Sequence, residues 1–283
     1  SYGSKFHETP NIDKLAGDGI KFMRHHHCQN CQPTRAALMS GQYGARTGVY
    51  TVGGIDRFNW QSRPLRPVDN QKAPSLQTIT IAGALKQSGY ATAMFGKWHL
   101  GEDKGYHPAE RGFDEAIVSN GKHFDFQTHP KTEYPKGQYL ADFLTDKAVD
   151  FIRRKKDAPF FLYLPHFGVH APWDALKEDK QRFADKKPVG GHGNATYAGM
   201  IYSVDRSVGR IMALLDELKI ADNTVVIFSS DNGGVGGYNR PDGLILDPGV
   251  VAKEQGAVIT DNAPLRSGKG SLYEGGTRVP FIV

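Results

Sequence analysis

Cysteine is scarce in this chain: its 283 residues include two, Cys28 and Cys31, too few for a disulfide framework. No apolar run approaches the roughly 20 residues that cross a bilayer as a helix, so no membrane span is expected. A basic, apolar leader is also missing. Ser1-Tyr2-Gly3-Ser4 reads as mid-protein sequence, and a signal peptide would have been removed or would lie outside this stretch. Internal repeats and low-complexity tracts are absent. Neither sign of charge dominates, because 35 basic and 30 acidic residues are interspersed and leave a formal net charge of +5. That mild excess suits an anionic ligand without requiring one. The densest basic patch, Arg153-Arg154-Lys155-Lys156, ends a predicted helix, where cations complement the helix dipole. Aromatic interleaving and nucleic-acid motifs are missing there, so no nucleic-acid partner is expected.

What is present is the composition of a soluble globular protein with length enough for a substantial core. Apolar periodicities alternate between helix and strand, which predicts an α/β fold with a mostly parallel central sheet and helices on both faces. Thr9-Pro10-Asn11 opens a helix that runs through Ala16, and a second helix covers 33–40 before Gly41. A helix at 78–87 precedes a strand at 90–95. The amphipathic stretch 138–155 leads into an apolar strand at 159–164, and 196–218 leads into a strand at 224–228. The polar stretches 53–73, 121–137, 174–193 and 234–264 read as surface loops that carry substrate selectivity. Trp60, Trp173, Phe124 and Phe126 are candidates for stacking on sugar rings. Asn194-Ala195-Thr196 matches a glycosylation acceptor, a triplet common by chance.

Cys28 and Cys31 stand as Cys-x-x-Cys after His25-His26-His27. A redox pair would open a helix in a much smaller fold, and half of a zinc site would need a second ligand pair that the chain lacks. The run Cys31-Gln32-Pro33-Thr34-Arg35-Ala36-Ala37-Leu38-Met39-Ser40-Gly41 offers another reading. Four further motifs follow it in order: Gly96-Lys97-Trp98-His99-Leu100-Gly101, Val169-His170-Ala171-Pro172, Asp231-Asn232-Gly233, and Lys269 within Arg266-Ser267-Gly268-Lys269-Gly270. Three of the five lie just beyond predicted strand ends, where open α/β sheets place their sites. Together these segments resemble the formylglycine-dependent sulfatases of the alkaline phosphatase superfamily, and the resemblance covers nearly the whole chain.

The resemblance implies a catalytic domain over residues 1–283 that lacks the family's first strand, with its paired aspartates, and the C-terminal subdomain. It implies hydrolysis of sulfate monoesters through Cys31 oxidised to formylglycine, whose hydrate attacks sulfur and later releases sulfate with return of the aldehyde. Pro33 and Arg35 would be read by a formylglycine-generating or sulfatase-maturing enzyme, and Arg35 would then stabilise the hydrate. Thr34 stands where the family often has serine. Lys97 and Lys269 would hold sulfate oxygens. His99 would help deprotonate the hydrate, and His170 would protonate the leaving oxygen. Asp231 and Asn232, with the modified Cys31, would bind a divalent cation: calcium, or magnesium or manganese. So small a ligand set implies a weak site and a poorly active 283-residue chain. A sulfated small molecule or glycan is the expected substrate, and a periplasmic, secreted or lysosomal location follows from the resemblance. The competing expectations are a phosphonate or phosphate ester hydrolase of the same superfamily, and an inactive anion- or glycan-binding module. The other histidines, His123 among them, read as ordinary polar residues.

Overall fold

The computed structural model describes residues 2–57, 59–119, 121–235 and 259–283. The chain is an α/β protein built around a parallel sheet of β2 (Ala91–Gly96), β3 (Glu115–Val118) and β4 (Phe160–Tyr163), with β2 in the middle. Alternation along β2 sends Ala93 and Phe95 to one face and Met94 to the other. On the first face lie α5 (Leu140–Lys155) and α7 (Ala195–Glu217), whose Leu140, Phe143, Leu144, Phe151, Leu214 and Leu215 close the main core. The second face is covered by α2 (Cys31–Ser40) and α4 (Ile81–Gln87) through Ala36, Met39 and Ala82. β4 serves both layers, Phe160 and Leu162 on one side and Phe161 and Tyr163 on the other. Each fully buried Leu or Phe contributes roughly 1.5–3 kcal/mol.

A second sheet is antiparallel: β1 (Lys21–His26), β6 (Arg278–Ile282) and β5 (Phe228–Ser229), with β6 in the middle. Only the end of the apolar run 224–228 pairs in it; Val225 and Ile227 are 77% and 60% exposed. β1 escaped the sequence reading because Lys-Phe-Met-Arg-His-His has no β-branched residue and owes its pairing to a partner far away in sequence. The stretch read as a loop at 174–193 contains α6 (Lys177–Ala184), which packs on α7 through buried Phe183 and the Asp179–Arg206 ion pair. The loop 234–264 lies mostly outside the described residues. Phe126, a candidate sugar platform, is instead 3% exposed and stacked on Tyr134 at 4.0 Å.

α1 (Pro10–Asp18) starts where the sequence places it, with Thr9 at the N-cap and Pro10 at the first helical position. Thr9 makes no capping bond; the fully buried Asp205 of α7 accepts from the amides of Asn11 and Ile12 at 3.2 and 2.8 Å. A carboxylate borrowed from another helix thus satisfies the free N–H groups and pins α1 to the core. Asn194 caps α7, accepting from the amide of Tyr197 at 2.9 Å. Of the basic patch ending α5, Arg153 pairs with Glu217 and Arg154 with Glu115 at the surface. Among the described residues, no helix is long and apolar enough to cross a membrane.

Candidate active site

The central strand β2 delivers two site residues because of how it stops. Gly96 has φ +134°, and a Cβ there would lie 2.1 Å from the carbonyl oxygen of Pro165. Glycine alone permits this approach, which lets the Lys97 amide donate to Pro165 O at 2.8 Å. Beyond it the side chains alternate. Trp98 and Leu100 enter the core, with Trp98 Nε1 donating to Tyr106 O at 2.8 Å. Lys97 and His99 are left facing the site. His99 has φ +65°, a conformation that costs roughly 1–3 kcal/mol and persists because the buried tryptophan and leucine on either side fix the backbone.

Cys31 is the first residue of α2 and is 2% exposed, with Sγ 3.3 Å from His99 Nδ1. One turn later, Arg35 is also buried. Its Nε and Nη2 donate to Asp231 Oδ2 at 3.0 and 2.7 Å, and its Nη1 donates to Lys97 O. Asp231 follows β5. The next turn is held by Gly233, whose amide donates to Gly276 O at 2.9 Å and whose Cβ, if present, would lie 1.8 Å from Gly275 O. Those two glycines belong to α8 (Glu274–Thr277), which in turn supports the loop carrying Lys269. The Lys269 amide donates to Gly234 O at 2.9 Å, joining this loop to the Asp231 turn. His170 follows β4, with Nδ1–H donating to Ala171 O at 2.7 Å.

The electrostatics are those of a concentrated positive field. Burial would raise the Asp231 carboxyl, but Arg35 and Lys97 overcome it and hold the group down at about 2. Burial lowers the Lys97 ammonium, assisted by Arg35 and Lys269 and opposed by Asp231. His99 is pushed down to about 3, first by burial and then by Lys97 and Arg35. His170 falls to about 4 through burial, Lys269 and Lys97. Both imidazoles are therefore neutral at pH 7, and because His170 Nδ1 carries the proton, its Nε2 carries the lone pair and can accept. Three cationic side chains face one carboxylate, an arrangement suited to an anion.

The structure brings Cys31, Arg35, Lys97, His99, His170, Asp231 and Lys269 into one interacting group. Two neighbours were missed in the sequence. Tyr163, the last residue of β4, lies with its hydroxyl 3.4 Å from Arg35 Nη1. The ring of Phe167 sits 5.8 Å from Lys97 Nζ and 5.2 Å from the His170 ring. For Tyr163 a signal existed, since the C-terminal end of a parallel strand is where sites collect.

For a cation, the donors are suggestive but few. Asn232 Oδ1 is buried with no hydrogen-bond partner among the described residues, whereas Asp231 commits Oδ2 to Arg35. Among the described residues, no group of three or more His, Cys, Asp or Glu side chains is placed to hold a metal.

Known proteins resemble this chain over nearly all of its length. The Sulfatase family model matches residues 1–283. A sulfatase of Formosa agariphila is 33% identical over 99% of this chain and 58% of its own length. The N-acetylgalactosamine-6-sulfatase of Homo sapiens is 33% identical over 99% of this chain and 53% of its own. The chain thus spans little more than half of these curated relatives. The crystal structure of Ps i-CgsB in complex with k-i-k-neocarrahexaose superimposes with a TM-score of 0.79 at 30% identity, covering 99% of this chain and 61% of that one. The chain belongs to the sulfatase family.

Proposed function

We propose that this chain carries the catalytic machinery for hydrolysing sulfate monoesters, with sulfated glycans as the substrate class. The supporting observation is the convergence of Arg35, Lys97 and Lys269 around the buried Cys31, with Asp231 the one carboxylate opposing them among the described residues. Similarity to an N-acetylgalactosamine-6-sulfatase and to a structure holding a neocarrahexaose favours glycans over small aryl sulfates.

Cys31 occupies the position of the side chain that becomes formylglycine, and its thiol stands in for the hydrated aldehyde. Once formed, that hydrate would supply one hydroxyl to attack sulfur with loss of the alcohol, and a second whose deprotonation would expel the sulfate held on the first and restore the aldehyde. Lys97 and Lys269 bind sulfate oxygens and oppose the charge that grows on them. Arg35 is locked by Asp231 and by the Lys97 carbonyl, so it orients the head of α2 without reorganising. Neutral His99, beside Cys31 Sγ, is disposed to accept a proton from that side chain. His170 becomes a proton donor only once an anionic ester offsets the positive field that keeps it neutral.

A carboxylate oxygen of Asp231 and the Oδ1 of Asn232, unpartnered among the described residues, would supply two oxygens to a hard divalent cation such as calcium. When bound, such an ion would favour deprotonation of the nucleophile. The residues around Cys31 also bear on maturation: Gln32, Pro33, Thr34 and Arg35 are all buried. A maturing enzyme that reads this run must therefore meet it before folding is complete.

The test compares release of sulfate and phosphate from matched 4-nitrophenyl esters, together with N-acetylgalactosamine 6-sulfate. Sulfate release faster by about a thousandfold or more, the scale of one strong transition-state contact, is expected. Faster phosphate release would favour the phosphoester reading, and binding without turnover the non-catalytic one.

A further inference from the structure

His123 lies outside the five motifs, yet it is 3% exposed and bonded to the site. Its Nε2 is 2.9 Å from the carbonyl oxygen of His170. A carbonyl only accepts, so Nε2 carries the proton and the tautomer is fixed. Burial pushes the imidazole pKa down, which keeps it in this neutral, donating form. The ring is held on one side by Tyr139 at 5.9 Å, nearly parallel, and by Phe167 at 4.9 Å. Its own carbonyl accepts from the amide of Leu140, the first residue of α5, at 2.8 Å. His123 therefore bridges a rigid helix start and the segment that carries His170.

Phe167 anchors the start of that segment in the core, but few hydrogen bonds hold the backbone at His170. Its internal bonds run from the His170 amide to Phe167 O at 3.0 Å and from Nδ1 to Ala171 O at 2.7 Å. Among the described residues, the one hydrogen bond to His170 from outside 167–171 comes from His123. A buried imidazole is costly unless its N–H is paired, so it is a demanding choice where an aromatic ring would pack as well. Packing alone does not account for it.

We propose that His123 is a positioning residue for catalysis: by donating Nε2–H to the His170 carbonyl, it sets where the His170 imidazole meets the sulfate ester. This rests on the assignment of His170 above.

The test measures kcat and KM on 4-nitrophenyl sulfate for the native protein, His123→Phe, His123→Gln, His170→Asn and the double variant His123→Phe/His170→Asn. Phenylalanine keeps the stacked ring and removes the donor, and kcat is expected to fall about 10- to 100-fold, the cost of a small misplacement. KM should stay within about threefold, because the lysines that bind sulfate are untouched. Glutamine, whose amide reaches the Nε2 position, should recover most of the rate. In the His170→Asn background, His123→Phe should cause no further loss. Native kcat in His123→Phe, with a slow His170→Asn, would overturn this proposal alone, as would an undiminished effect of His123→Phe in the double variant. A native-speed His170→Asn would overturn the assignment of His170 and the proposal with it. If His123→Phe does not fold, His123→Asn replaces it, since its shorter amide cannot reach the carbonyl; a rate equal to that of His123→Gln would then count against the idea.

Discussion

Replacing Asp231 by asparagine removes the carboxylate that, among the described residues, faces Arg35, Lys97 and Lys269, while keeping nearly the same shape. The depression of its carboxyl from an ordinary 3.8 to about 2 corresponds to roughly 2.5 kcal/mol of stability at neutral pH. Arg35 and Asp231 are 6% and 26% exposed as side chains, so solvent screens the pair little. Arginine would be left buried without its counter-charge, which costs about 3–5 kcal/mol where such pairs have been broken. The asparagine oxygen still accepts a bond from Arg35, so a loss of about 2–4 kcal/mol is expected. Spread over the unfolding entropy of a chain this size, that lowers the melting temperature by roughly 3–7 °C. The sign with pH follows from the depressed carboxyl. Its stabilisation is complete above the unfolded value near 3.8 and is lost as pH falls through about 2. Urea unfolding of native and variant protein in the presence of a chelator should show a constant gap from about pH 7 to 5 that closes toward pH 2. A gap below about 0.5 kcal/mol at pH 7, or one that does not change with pH, would refute this reading.

Three further outcomes are expected. With His99 and His170 held neutral at about 3 and 4, kcat/KM on an aryl sulfate should show no acid limb near pH 6.5; an inflection there would mean the field is weaker than drawn. Asn232→Ala should weaken calcium binding about tenfold or more in titration calorimetry while leaving the fold intact, and an unchanged affinity would remove Asn232 from the cation site. Phe151→Ala, at a fully buried position between β2 and α5, should cost about 3–5 kcal/mol in urea unfolding; a loss below 1 kcal/mol would contradict the packing described.

Much of this was legible in the chain because the signals were local. The stripe Leu140, Phe143, Leu144, Ala148, Phe151 and Ile152 has helical spacing by itself, and the structure packs it onto β2. The end of the strand before Lys97 and His99 was equally local, being an apolar run closed by Gly96. The failures came where distant segments decide. β1 exists through its pairing with β6, and Phe126 turns inward because Tyr134 returns to meet it. His123 was passed over for the same reason, since a lone histidine in a polar loop shows nothing of the carbonyl it bonds. The motifs named the charged residues of the site but not the rings of Tyr163 and Phe167 beside them.

The most direct measurement is the mass of the peptide containing residue 31, in protein isolated from its native host and shown to release sulfate. A loss of about 18 Da relative to cysteine, the change the activated-nucleophile chemistry requires, is the expected result. An unmodified Cys31 in an actively hydrolysing sample would contradict the central claim.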